Sequence, residues 1–235
     1  MDKANFRKPD AQGFTLIEVI VALAVSGILL TAIYTVLESQ HRSYLNQQRV
    51  VDMQQSVRSA MFVIGRDINS AGFDPTGDAD AQIMTADSAV CQISADHNAD
   101  GGMVDAGTDP NEQVRYALSN DTDGNGIADG APCSLGREVW GGGLQPVADN
   151  IDALNFVYFD ADNNVLTTPV AKPEEISSIQ VTLVARLAAR DLTSGASDTT
   201  DYQNQQGTVI LPAPNDHFRR IRLTKEFRCR NSGLN

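Results

Sequence analysis

At 235 residues the chain has room for one globular domain of ordinary size plus an appendage. A formal net charge of −12, from 18 Lys and Arg against 30 Asp and Glu, argues against a nucleic-acid-binding body. Sparse aromatics, with Gly, Asn, Asp, Ser and Thr crowding the chain after residue 70, suit a loop-rich β domain working outside the cytoplasm. Three cysteines, Cys91, Cys133 and Cys229, fit an oxidising compartment with one disulfide and one leftover thiol, and all three pairings stay open. They show no metal-type Cys/His spacing.

The first predicted element is apolar. From Phe14 to Leu37 the only charge is Glu18, and as a helix this run spans about 36 Å against a hydrocarbon core of roughly 30 Å. Lys3, Arg7 and Lys8 precede it, which keeps the start cytoplasmic and sends the body outward. A signal-peptide apolar region is shorter, about 7–15 residues, and ends in a small-residue cleavage site. A plain anchor leaves Glu18 unexplained, because a carboxylate at bilayer depth costs on the order of 2.5–3.5 kcal/mol on insertion scales without a partner.

The stretch "GFTLIEV", Gly13 to Val19, behind a short basic leader ending in glycine, resembles the processing and methylation signal of type IV prepilins and pseudopilins. The resemblance implies a leader of residues 1–13, cut between Gly13 and Phe14 by a prepilin peptidase on the cytoplasmic side. Phe14 then becomes an N-methylated amino terminus, and residues 14–41 serve as transmembrane anchor and later as filament core. Glu18 acquires a physical role in that setting. A new ammonium four residues away, on a neighbouring subunit, neutralises it away from water, where a paired charge gains far more than at a surface and an unpaired one is heavily penalised. The carboxylate then sets a docking register.

Beyond Leu37 the helix pattern turns amphipathic. Met53, Val57, Met61, Ile64 and Ile68 step by 4, 4, 3 and 4, which is one helical face. No proline occurs from Phe14 to Ser70, and Gly72 and Pro75 supply the stop. The expectation is one helix with a transmembrane half and an amphipathic half over residues 42–72. Its amphipathic half packs on a β-rich head over 73–235, an α+β fold with an antiparallel sheet.

In the head, "QIMTADSAVCQI", "EQVRYAL", "SLGREVW", "DALNFVYFD", "NVLTT", "SIQVTLVARL" and "RRIRLTKEFRC" read as strands, with a hairpin turn at Asp160 to Asn164. Alternation in "SIQVTLVARL" predicts one buried face, with Gln180, Thr182 and Val184 on the other. In the last strand, Arg220, Arg222, Arg228 and Arg230 share a face that reads as exposed. The phrases "EQVRYAL", "LGRE" and "VADNIDALNFVYFD", with the closing basic strand, resemble PilW-type minor pilins. That resemblance implies an assembly subunit at a pilus tip. Its partners would be other minor and major pilins, the prepilin peptidase, an inner-membrane assembly platform and a tip adhesin. A J-type minor pseudopilin of type II secretion is the alternative, and a membrane-tethered periplasmic enzyme or binding module the distant one. The implied location is the bacterial inner membrane, single-pass, with a periplasmic head.

One head loop carries metal-type spacing. In "NDTDGNGIADG", Asp121, Asp123, Asn125 and Asp129 occupy positions 1, 3, 5 and 9 of a calcium loop, with Gly126 at 6 and the Ile127 carbonyl at 7. Position 12 is Pro132, so the bidentate glutamate is missing, and the bland reading is a polar hairpin tip. Asp96, Asn98 and Asp100 form a fainter echo that reads as a loop. His41, His97 and His217 are scattered and no nucleophile motif occurs, so no enzyme is expected.

Overall fold

The computed structural model describes residues 13–102, 110–190 and 196–231. Of the expected leader, only Gly13 lies among them. The chain forms two compact units, residues 1–48 and 49–235, and one helix, α1 (Leu16–Ser70), belongs to both.

In the first unit every residue from Gly13 to Leu37 is exposed. The helix is long and apolar enough there to cross a membrane. The hydroxyls of Thr31 and Thr35 donate to the carbonyls of Gly27 and Ala32 at 2.9 and 2.8 Å. Both polar groups are thereby satisfied by the helix's own backbone, as a hydrocarbon environment demands. Helix continues through Gly27 unbroken, and Glu38 pairs with Arg42 at 2.8 Å where the apolar run ends.

In the second unit α1 buries the stripe its sequence spacing predicts: Met53, Val57, Met61, Ile64 and Ile68, together with Ala60. The stripe shares a core with two antiparallel sheets. The first is five-stranded and follows chain order: β1 (Ile83–Ala86), β2 (Cys91–Ser94), β3 (Gln113–Leu118), β4 (Ser134–Val139) and β5 (Gln145–Asp149). The second is built from β6 (Ile151–Phe159), β7 (Val165–Leu166) and β8 (Ser178–Arg186). After a separate hairpin of β9 (Tyr202–Gln203) and β10 (Val209–Leu211), β11 (Arg220–Arg228) completes it in the order β11-β8-β6-β7. The expected α+β architecture is what the chain adopts.

Three side chains lock α1 to these sheets. Gly65 lies against Phe227 of β11 so closely that any Cβ there would overlap the ring. Tyr116 of β3 donates its phenol hydrogen to Asp67 Oδ2 at 2.7 Å, and Arg137 Nε of β4 donates to the same oxygen at 2.7 Å. Arg66 occupies Oδ1 at 3.0–3.1 Å. Burial and the Asp67 carboxylate push the Tyr116 phenol far above its usual range, so it stays a donor.

Three expectations need correction. "QIMTADSAVCQI" is two strands, because Asp87 N–H closes a turn on the Val90 carbonyl at 2.9 Å. Strand β8 is buried on both faces, not one: Val184 packs with Ala153, Ile210 and Leu211, so the β9–β10 hairpin covers the side expected to face water. Arg220 is not part of an exposed stripe. Its side chain is 3% exposed and holds Asp152, Asp198 and Asp216 at 2.7, 3.2 and 2.7 Å. Arg186 Nε also lies 3.2 Å from Asp152, an ion pair by distance without hydrogen-bond alignment.

Candidate functional site

The residues that carry the processing signal stand at the start of α1. Gly13 and Phe14 precede the helix, and Phe14 is 87% exposed. Thr15 caps it. Its backbone N–H and its hydroxyl donate to Glu18 Oε2 at 2.8 and 2.9 Å, while Glu18 N–H points back at Thr15 Oγ1 at 3.4 Å. This is a capping box, Thr-x-x-Glu, in which the glutamate three residues into the helix satisfies orphan donors of the first turn. The signal was in "TLIE" all along and sequence reasoning missed it, having attended to the charge alone.

The geometry gives Glu18 two faces. Oε2 is committed to Thr15, and Oε1 has no hydrogen-bond partner among the described residues. No Lys, Arg or His stands between Gly13 and Leu37 to neutralise it. The carboxylate is thus oriented by its own helix, and no cation pairs with it among the described residues.

The second place the sequence singled out is the turn between β3 and β4. Ligand oxygens of Asp121, Asp123 and Asp129 all lie within 4.8 Å of one another. Asn125 joins them through Nδ2, which donates to Asp123 at 2.7 Å, and its Oδ1 accepts from Ile127 N–H at 2.7 Å. Gly126 has φ +81°, and a Cβ at that position would overlap the Leu154 carbonyl oxygen, so only glycine lets the loop approach β6. Leu154 N–H in turn donates to the Gly126 carbonyl at 2.9 Å, fixing the loop on the sheet. The carboxylates at present accept backbone N–H groups: Asp121 from Asn125 and Gly126, Asp129 from Thr122. Partial burial raises the Asp121 carboxyl above its ordinary value. Three carboxylates, an amide oxygen and a backbone carbonyl are a donor set that suits a hard cation, with water completing a shell of six to eight.

The expected disulfide is not formed in this structure: Cys91, Cys133 and Cys229 are free thiols, each buried. Cys133 stands apart, its thiol against the Asn120 carbonyl and the Ser119 hydroxyl. Burial pushes the Cys91 and Cys229 thiols up to about 12, which suppresses their thiolates at neutral pH. Asp96 is wholly buried and accepts the N–H groups of Ala99 and Gly101, as a loop-forming aspartate does. Sequence reasoning also missed Asp67, whose partners lie 49 and 70 positions away, and Gly65.

No curated protein sequence matches the chain. Among solved structures, a type IV-like pilin from Thermus thermophilus is similar at 15% identity and a TM-score of 0.47, covering 77% of this chain and 98% of that one. Residues 8–34 match the prokaryotic N-terminal methylation motif, which takes in Gly13, Phe14 and Glu18. Residues 46–205, from the amphipathic half of α1 to the β9 turn, match the family described as prepilin peptidase-dependent protein B. That match spans most of the chain, so this type IV pilin-like protein belongs to the prepilin peptidase-dependent protein B family.

Proposed function

We propose that the chain is a minor subunit that primes or joins a type IV pilus at its tip, after cleavage between Gly13 and Phe14 and N-methylation of Phe14. The observation that carries the reading is the half-satisfied carboxylate. Glu18 is oriented by Thr15, is exposed on an apolar helix, and has no cation beside it among the described residues. A charge kept on such a helix needs a partner from outside, and the ammonium of an adjacent subunit supplies it. In this reading α1 anchors the chain in the inner membrane, and the head lies in the periplasm. Its partners are other minor and major pilins, the peptidase, the membrane assembly platform and a tip adhesin. The strand phrases resembling PilW-type minor pilins support the minor role.

Glu18→Ala tests it in cells that assemble the filament. The variant should be cleaved and retained in the membrane, yet surface filaments should be lost. Normal filament assembly by Glu18→Ala would overturn the reading. A J-type pseudopilin uses the same terminus, and deletion distinguishes the two: loss of surface pili marks the first, loss of folded-protein export the second.

We also propose that Asp121, Asp123, Asn125, the Ile127 carbonyl and Asp129 hold calcium, which would tie the β3–β4 loop down on β6. Adding calcium to chelator-treated protein should raise its melting midpoint, and Asp121→Ala should remove the rise. An unchanged midpoint in the unsubstituted chain sinks the idea.

A further inference from the structure

The outer face of the five-stranded sheet, away from α1, carries a cavity of about 440 Å³ lined by Gln92, Gln113, Arg115, Glu138, Trp140 and Gly141. Strand alternation explains the set. Cys91, Val114, Tyr116 and Leu135 point into the core, so Gln92, Gln113, Arg115 and Glu138 of the adjoining strands point outward together. Cross-strand pairing brings Gln92 opposite Arg115 and Arg115 opposite Glu138. Just beyond β4, Trp140 N–H donates to the Gln113 carbonyl at 3.1 Å, and Gly142 N–H closes a turn on Val139 at 2.9 Å. That turn holds Trp140 at φ +34°, a left-handed conformation that a bulky residue rarely adopts. The strain presents the indole at the cavity rim, 42% exposed.

The two side-chain amides in the cavity are unspent. Gln113 is only 7% exposed, yet its side-chain amide has no hydrogen-bond partner among the described residues, and neither has that of Gln92. The Gln113 residue is mostly buried while its amide atoms open to the cavity beside those of Gln92, so both amides are available to a ligand. The chemistry narrows which. Arg115 Nη1 is paired with Glu138 Oε2 at 3.1 Å, so the lining is neutral and offers no surplus charge to an anion or cation. Strands β2, β3 and β4 are interior to the sheet, so no free edge is present to take up a peptide strand. A single aromatic ring is too little apolar surface for an amphipathic helix.

What remains is a neutral molecule with one flat apolar face and a rim of groups that both donate and accept. We propose that this cavity binds a neutral saccharide. A pyranose ring lays its C–H face on the Trp140 indole, and its hydroxyls take the amides of Gln92 and Gln113, the guanidinium of Arg115 and the carboxylate of Glu138. The cavity volume is at the lower end of the range of small-ligand sites, which fits one or two sugar rings. This inference is independent of how the chain assembles.

Trp140 is the sole tryptophan, so its fluorescence reports the site directly. The full chain, in a detergent without a sugar headgroup, should be titrated with glucose, galactose, mannose, N-acetylglucosamine, maltose and lactose. At least one should give a saturable change in emission with a millimolar dissociation constant. Gln113→Ala should weaken that binding about tenfold, the worth of one or two hydrogen bonds, with an unchanged melting midpoint. Should Gln113→Ala misfold, Trp140→Ala, read by calorimetry, takes its place and should lose the heat of binding. No saturable change with any of the six sugars overturns the proposal, and so does binding that survives Gln113→Ala and Trp140→Ala alike.

Discussion

Helix α1 carries two carboxylates in opposite circumstances. Asp67 is buried, and both of its oxygens are occupied by Tyr116, Arg137 and Arg66. Glu18 is exposed, has one oxygen occupied by its own cap, and meets no cation among the described residues. The first charge is complete inside the folded chain and the second is not. The difference separates their roles: Asp67 stabilises this fold, whereas Glu18 is free for the pairing proposed above.

The largest expected effect comes from breaking the complete site. Asp67→Ala leaves Arg137, largely buried, with an unpaired charge and Tyr116 with an unpartnered hydroxyl. That should cost about 3–5 kcal/mol of stability, measured by denaturant unfolding of the full chain in detergent. Asp67→Asn, which keeps the acceptor oxygen and removes the charge, should recover part of it.

A second buried cluster sharpens the point through its pH dependence. Arg220 holds Asp216 bidentately and lowers its carboxyl below the ordinary value, while burial holds Asp152 above it despite Arg220. A lowered carboxylate contributes stability that is present at neutral pH and lost as pH falls through its folded value. Arg220→Met removes that contribution and leaves three carboxylates together in a largely buried place. Their mutual repulsion raises them, and a raised carboxylate is stabilising at low pH and loses that advantage as pH rises. The variant should therefore lose about 3 kcal/mol at pH 7 and regain part of it toward pH 5. An unchanged pH profile would mean the cluster is screened by solvent.

How much of this was legible from residue order follows from distance along the chain. The buried stripe from Met53 to Ile68 could be read because a helix repeats its face within four residues. The signal at Gly13 to Val19 could be read because it is contiguous. Asp67 could not, since nothing local distinguishes it from Asp52 about four turns earlier, and its partners come from β3 and β4. Alternation placed Arg220 with Arg222 on a polar face correctly, but strands of two and three residues, β9 and β10, are too short to announce the hairpin that covers the same sheet. At the loop of Asp121 to Asp129 the spacing could be read, whereas the Gly126 contact with Leu154 that seats it could not.

Gly65 offers a smaller test of the packed half. Alanine there must displace Phe227 or shift the helix, at a cost of about 1–3 kcal/mol, and the full chain should melt several degrees lower. If Gly65→Ala melts normally, the ring has room to rotate and the helix is held chiefly by the Asp67 cluster. Phe227→Leu on the Gly65→Ala background should then make no difference either.

Glu18→Ala should give the smallest effect on the folded chain, and that is what separates it from the others. The substitution removes a capping box at an exposed helix start, far along the chain from the buried core. A local cap is expected to alter fraying of the first turn and leave the cooperative unfolding of residues 49–235 alone. The measured midpoint should coincide with that of the unsubstituted chain. Hydrogen exchange should quicken only in the first turn after Thr15. Thr15→Ala removes the hydroxyl half of the cap while keeping the carboxylate and its backbone N–H donor, so it should reproduce part of the fraying without the loss of filaments. If Thr15→Ala and Glu18→Ala lose filaments equally, the cap is what assembly requires, and the uncompensated charge is not.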